Sequence, residues 1–220
     1  MKNVILSKGI MLVKVSWMSY YQWQVRDTPT SSVSYLKEMK WTDVYADSGR
    51  YLGRYADIDE NGNFKVVNGY CYGSFQTQEK SPRIDKIEGA TEDENCESVD
   101  DVLVIFCAKN PERRGKKEVN VIGWYTNALV YREYQYPILN DDGFDWCYNI
   151  RAESKNCVLL PESERKDNKV WFLPQVKGSQ INFGQNMYKF SRRATPELQN
   201  VLKAIANYDG DNWCGMCDGE

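Results

Sequence analysis

The sequence predicts an α+β protein that is mostly β, and three observations carry that prediction. Short runs rich in valine, isoleucine and aromatic residues recur through the middle of the chain, among them "VLVIFCAKN" and "VNVIGWYTNALVYREYQYP". Turn dipeptides separate such runs, notably Asn61-Gly62 and Asn68-Gly69, which reach the positive φ of tight hairpins at little cost. Only near the end does a strong helical pattern appear. In "TPELQNVLKAIANY", Thr195 stands at the N-cap, Pro196 in the first turn and Glu197 near the positive helix end, while Leu198, Val201, Leu202 and Ile205 share one face. That face predicts a C-terminal helix docked on the sheet.

The other elements follow in order. "GIMLVKVSW" reads as a strand that runs through "MSYYQWQVRDTPTSS" into a turn at Thr28-Pro29. "SSVSYLKEMKW" opens on capping serines and spaces Val33, Leu36 and Trp41 as a short helix would. "DIDENGNFKVVNGYCYGSFQ" predicts a meander, and the carboxylate-rich "IEGATEDENCESVDD" a solvated loop and the best place for local disorder. "VLVIFCAKN" and "VNVIGWY" flank "PERRGKKE", which predicts a hairpin with a basic tip. "NDDGFDWCYNIRAESKNCVLLP" and "KVWFLPQVKGSQINFGQNMYKF" add further short strands. Residues 1–210 are read as one domain and 211–220 as a flexible tail.

Composition bounds the function classes. At 220 residues and 42% hydrophobic, the chain can close a core. A net charge of -3 and pI of about 5.3 exclude a basic footprint over the whole surface, so any nucleic-acid contact must be local. The seven cysteines (Cys71, Cys96, Cys107, Cys147, Cys157, Cys214 and Cys217) are odd in number and scattered through apolar segments, as free thiols are in a reducing compartment. The apolar start is broken by Lys8 and Lys14 and no later run is long enough to span a bilayer, so the expectation is a cytoplasmic chain without a membrane partner.

Absences weigh heavily in the chemistry. There is no histidine, which removes the usual general base, the histidine-dependent triads and the commonest zinc ligand. Neither a P-loop nor GxGxxG occurs. The CxxC at Cys214 and Cys217 lacks a second pair at metal spacing and reads as incidental, so no cofactor or metal is expected. The clusters Asp57-Asp59-Glu60 and Asp141-Asp142-Asp145 read as surface turns rather than a magnesium site. No catalytic residue is assigned.

What is left is the aromatic set. Strict alternation would put Val119, Val121, Gly123 and Tyr125 on one side and Asn120, Ile122, Trp124 and Thr126 on the other, so a sheet buried on one side only cannot bury both Trp124 and Tyr125. Core packing is one account of these rings. The other is a pocket in which Trp124, Tyr125 and Asn127, with aromatic partners from "SWMSYYQW" (Trp17, Tyr21, Trp23), stack a planar base and read its edge.

The ordered motifs "GYCYGSFQ", "VDDVLVIFCAKNP", "VNVIGWYTNALVYREYQ", "YNIRAESKNCVLLPESER" and "INFGQNMYKF", over roughly residues 64–190, resemble a bacterial domain of modification-dependent restriction and phage-defence proteins. The "VIGWY" strand is similar to the corresponding strand of PUA-like folds, which include SRA, YTH and EVE modules. The resemblance implies a curved β-barrel flanked by helices that flips a modified base, in DNA rather than RNA, into an aromatic cage. By it Trp124, Tyr125 and Asn127 match the motif, Tyr131 follows in register, and Asn182, Gln185 and Asn186 supply edge contacts. Arg113, Arg114, Lys116 and Lys117 at the hairpin tip, with Lys189, Arg192 and Arg193, would form a local phosphate track. The chain would be a non-catalytic reader with an effector nuclease or motor on a separate chain. Two alternatives stay open: a nuclease or glycosylase working through a carboxylate cluster, and a protein-interaction domain that uses the aromatic face.

Overall fold

The structure, a computed structural model, describes residues 7, 9–22, 60–75, 81–91, 93–113, 115–135, 147–192 and 195–216. The helix expected over 31–41, the turn at Thr28-Pro29, Trp23, Arg114, Arg193, Cys217, and the acidic residues Asp57, Asp59, Asp141, Asp142 and Asp145 lie outside them.

The described strands are β1 (Gly9–Val15), β2 (Val66–Val67), β3 (Tyr70–Gly73), β4 (Ser98–Ala108), β5 (Glu118–Gln135), β6 (Tyr148–Glu153), β7 (Cys157–Leu159), β8 (Phe172–Pro174) and β9 (Tyr188–Ser191). Two α-helices accompany them, α1 (Glu162–Asp167) and α2 (Gln199–Ala206). All the strands belong to one mixed sheet of order β2-β3-β6-β5-β4-β1-β9, with β7 and β8 also paired to β5. Only β1 with β4 is parallel. The protein is therefore α+β and mostly β, as the residue pattern predicts. Among the described residues the ladder ends at β2 on one side and β9 on the other.

Local chemistry accounts for several of these elements. Asn68 (φ 51°) and Gly69 (φ 81°) make the two-residue β2–β3 turn, whose positive φ values match the twist of the flanking strands. Asn61-Gly62 instead belongs to the 3-10 turn Glu60–Gly62. The "PERRGKKE" segment closes the β4–β5 hairpin through a 3-10 turn at Pro111–Arg113. The acidic stretch is fixed where described, because Arg132 donates to the carbonyls of Cys96, Glu94 and Pro82 at 2.8, 2.6 and 3.2 Å.

Both faces of the sheet are buried. One core holds Met11 and Val13 from β1, Val104 and Phe106 from β4, and Ile122, Tyr125, Ala128 and Val130 from β5, with Tyr21 and Phe64 packed on them. The other holds Ile10, Leu12, Leu103, Ile105, Val121 and Trp124 with Trp171, Phe183, Leu198, Val201 and Ile205. The last three residues are the apolar face of the C-terminal helical segment, so that helix docks as expected. Thr195 does not cap it with its side chain; its hydroxyl donates to Gln180 Oε1 at 3.0 Å.

Strict alternation fails on β5 at two places. Phe106 pairs with Gly123 but Cys107 pairs with Val121, and Val102 pairs with Ala128 but Val104 pairs with Tyr125. Each extra residue is a β-bulge that resets which face follows. Trp124 consequently joins Val121 and Tyr125 joins Ile122, each in its own core. The second bulge falls at Thr126-Asn127, with Asn127 in the left-handed region at φ 51°.

Residues 211–216 are docked rather than a loose tail. Trp213 N–H donates to Leu159 O at 2.8 Å, and its ring stacks on Tyr20 with centroids 5.1 Å apart. The Asn212 side chain accepts from Leu159 N–H (3.0 Å) and donates to Cys157 O (2.9 Å), which adds this segment to the otherwise unpaired outer edge of β7. Buried Arg165 on α1 does comparable work, donating to the carbonyls of Leu160, Met18 and Ser19 at 2.6–2.7 Å.

A Cβ at Gly123 would lie 2.3 Å from Val158 O and 2.7 Å from Phe64 Cζ. Gly123→Ala is expected to cost about 1–3 kcal/mol in urea denaturation. At Asn127, replacement by glycine should be tolerated, whereas Asn127→Val should cost about 1–2 kcal/mol, because a β-branched residue resists the left-handed conformation. Equal midpoints for the two Asn127 variants would contradict the bulge assignment.

Candidate functional site

Among the described rings expected to form a cage, Trp124 lies in one core and Trp17, Tyr21 and Tyr125 in the other. Trp124 stacks on Trp171 (5.4 Å, 25°) and Tyr208 stands edge-on to it (5.4 Å, 90°), all on the helix side of the sheet. Tyr125 lies on the other side with Phe64 and Phe106 at 5.4 and 4.8 Å. Tyr21 packs on Phe64, and Trp17 is buried beside Arg165. Two rings in separate cores cannot be the two walls of one pocket. Alternation on a sheet with one buried face would leave one of the two rings facing out or lining a cavity; here both faces are covered and both rings are core.

The amides assigned to edge reading also have structural roles. Asn127 occupies the bulge and is exposed. Asn182 Oδ1 accepts from Gly184 N–H at 2.9 Å in a turn that carries the exposed Gln185 and Asn186 between the buried Phe183 and β9.

The basic residues form two separate groups. Register places Val15 of β1 beside Ala108 and Ile10 beside Leu103, while Ile10 also pairs with Ser191. The hairpin tip and Arg192 are therefore at opposite ends of β4, roughly 20 Å apart at the rise of a strand, and do not make one track. At the tip, Arg113 pairs with Glu118 at 2.6 Å and covers the Phe172 ring, leaving Lys116 and Lys117 exposed. At the other end Arg192 joins Lys86, Glu88, Phe190 and Ser191 around a shallow cleft of about 300 Å³. Lys189 alternates with Phe190 on β9 and so projects from the opposite face.

Tyr131 belongs to a different aromatic feature. On β3 the small Cys71 and Gly73 are buried and Tyr70 and Tyr72 face outward; on β6, Ile150 and Ala152 are buried while Tyr148 and Arg151 are half-buried. Pairing of Tyr72 with Arg151, and of Arg151 with Leu129, sets these side chains on the same face as Tyr131. The result is a row of four half-buried tyrosines: Tyr70–Tyr72 at 6.3 Å, Tyr72–Tyr148 at 4.9 Å and Tyr148–Tyr131 at 5.9 Å between centroids. The Arg151 guanidinium lies 5.4 Å from the centre of the Tyr70 ring. Partial burial pushes the phenols of Tyr72 and Tyr148 above the usual tyrosine range, so both are neutral donors at physiological pH.

Three of these tyrosines and Arg151 were missed by sequence reasoning. For Tyr70, Tyr72 and Arg151 the signal was the alternation in "YCYG" and "IRAE", where small or aliphatic residues mark the inward positions and Tyr or Arg the outward ones; Tyr148 breaks it, sharing parity with the buried Ile150 and Ala152.

No catalytic constellation assembles among the described residues. Glu60 is buried and accepts from Ser16 N–H at 2.9 Å. Among the described residues no group of three or more cysteines and carboxylates is arranged to hold a metal ion. No described helix is long and apolar enough to cross a membrane. No family model, curated protein or solved structure matches the chain.

The two kinds of ring should separate by stability. Trp124→Ala is expected to lose about 3–5 kcal/mol as a large buried ring leaves a cavity, while Tyr72→Ala on the half-open face should shift the urea midpoint far less. A small loss for Trp124→Ala would show that this ring is not core.

Proposed function

We propose that the chain is a non-catalytic nucleic-acid-binding module that takes up unstacked bases on the outward face of β3, β6 and β5. The observation that carries this reading is the row Tyr70–Tyr72–Tyr148–Tyr131 with Arg151 beside it. Successive rings along a sheet are the arrangement on which bases stack, and each stack contributes about 1–3 kcal/mol. Extruding a base from a duplex costs a few kcal/mol, so two stacks favour bases that are already unpaired or easily flipped.

The resemblance to PUA-like readers of modification-dependent restriction and phage-defence proteins supports the same direction. In this reading the bent β core with helices on its flank is a PUA-like fold, modified DNA is the preferred ligand over RNA, and an effector nuclease or motor on another chain receives the signal. The ligand site lies on the tyrosine face and not at Trp124 and Tyr125, which are buried. A protein-interaction face is the second reading, favoured by the net charge of -3 and by Glu153 opposite Tyr70 on the same strip.

Fluorescence polarisation at fixed low salt, with DNA and RNA single strands and duplexes carrying methylated, hydroxymethylated, glucosylated or unmodified bases, tests the proposal. Binding should be weakened about 5- to 150-fold by Tyr72→Ala or Tyr131→Ala and unaffected by Lys116→Ala. Preference for one modified duplex would establish a reader of modification. Absence of binding to every probe, or binding indifferent to the tyrosines, would overturn the reading and favour a protein partner.

A further inference from the structure

Two thiols far apart in sequence meet beneath the tyrosine face. Cys71 points inward from β3 between Tyr70 and Tyr72, and Cys214 comes from the docked C-terminal segment. Their sulfurs lie 3.3 Å apart although 143 positions separate them, and both thiols are free. Cys71 is fully buried, whereas Cys214 is half-buried and is the member of the pair nearer to solvent.

The backbone holds Cys214 against β3 from a fixed turn. Met216 N–H donates to Trp213 O at 3.0 Å and Gly215 has φ 79°, which makes a type II turn with Cys214 at its second position. Asn212 Oδ1 accepts from Cys214 N–H at 2.9 Å and Gly215 N–H donates to Phe64 O at 3.1 Å, so the turn is tied down on both sides of the cysteine. A third thiol, Cys157 on β7, stands beside the pair; burial pushes it well above the usual thiol range and keeps it protonated. Hydrogen bonds from the Cys157 and Cys71 thiols bring the Cys214 thiol down to about 5, so its sulfur is a thiolate at neutral pH.

We propose that Cys71 and Cys214 are a reversible redox pair, closed to a disulfide by a hydroperoxide and reopened by a dithiol. Bonded sulfurs lie about 2.05 Å apart, so closure asks for a shift of about 1.3 Å, within reach of side-chain rotation at the two cysteines. The Cys214 sulfur attacks the peroxide: an S–O bond forms as the O–O bond breaks, and the leaving oxygen departs as water. Cys71 then attacks the sulfenic sulfur of Cys214; the S–S bond forms, the S–O bond breaks, and a second water carries off the Cys71 proton. Two thiols and one peroxide give one disulfide and two waters, with two electrons passing from sulfur to oxygen. A dithiol returns those electrons by thiol–disulfide exchange. The bond fastens the segment that carries Trp213 to the strand whose outer side bears Tyr70 and Tyr72. The proposal stands apart from the nucleic-acid reading and would survive its failure.

The test treats the full chain, reduced and freed of reductant, with hydrogen peroxide at about one equivalent, alkylates the remaining thiols and digests with trypsin without reduction. Cleavage after lysine and arginine leaves Cys71 in peptide 66–80, Cys157 in 156–165 and Cys214 in 204–220. The expected product is 66–80 joined to 204–220, two hydrogens lighter than the separate thiol peptides and lost on adding dithiothreitol. Cys107, in the other core, should be recovered alkylated after denaturation. Because Cys71→Ser can itself loosen the core, the decision rests on wild type and on Cys217→Ser, in which Cys214 is the one cysteine of its peptide and the same link should form. An oxygenated Cys214 without the link, a bond from 204–220 to 156–165, or a loop confined to 204–220 would overturn the pair.

Discussion

The long strand β5 is the constraint on which the rest of the structure depends. Over Glu118–Gln135 it pairs with β4 along one edge and with β8, β7 and β6 in succession along the other. Both faces of its first half are covered, so each inward residue must fit a closed space. Gly123 allows the Val158 carbonyl and the Phe64 ring to approach where a side chain would collide. The two bulges then turn the strand so that its second half leaves the helix-side core and presents Leu129 and Tyr131 on a half-open face. One backbone thus makes core at one end and surface at the other.

Polar groups that tie distant segments together do so by completing backbone hydrogen bonds. Arg165 satisfies three carbonyls in the segment after β1 and before α1, and Arg132 does the same for the acidic loop. Asn212 extends the ladder beyond β7. A buried carbonyl without a donor costs free energy comparable to a lost hydrogen bond, so these side chains hold short, irregular segments that sheet pairing alone leaves incomplete. The protein needs such ties because β2, β7 and β8 are only two or three residues long.

The outward tyrosines and the inward thiol of Cys71 occupy the two sides of the same strand. On β3, Tyr70 and Tyr72 face out while Cys71 between them faces in; across β6, Arg151 faces out beside the buried Ala152 that pairs with Cys71. Anything that stiffens the inward side also fixes the spacing of the outward rings. A binding face built on a sheet holds its side chains more accurately than one built on a loop, because pleat and register set their directions.

The residue pattern alone was enough to identify the mostly β class, the buried β4 strand, the basic hairpin, the Asn68-Gly69 turn and the docked C-terminal helix. Each of these rests on local information: side-chain period, turn chemistry or an apolar face within about fifteen residues. Tertiary structure decided which aromatic residues are core. Two bulges changed the parity of β5, and a sheet buried on both sides took in Trp124 and Tyr125 together. It also decided which cysteines meet: Cys71 and Cys214 are 143 positions apart and touch only because β3, β7 and the last segment converge. Periodicity reports how a strand faces its own neighbours, but not which distant strand lies opposite or whether a second layer covers the other side. Those are settled by long-range pairing, where the free energy of burial outweighs any local preference.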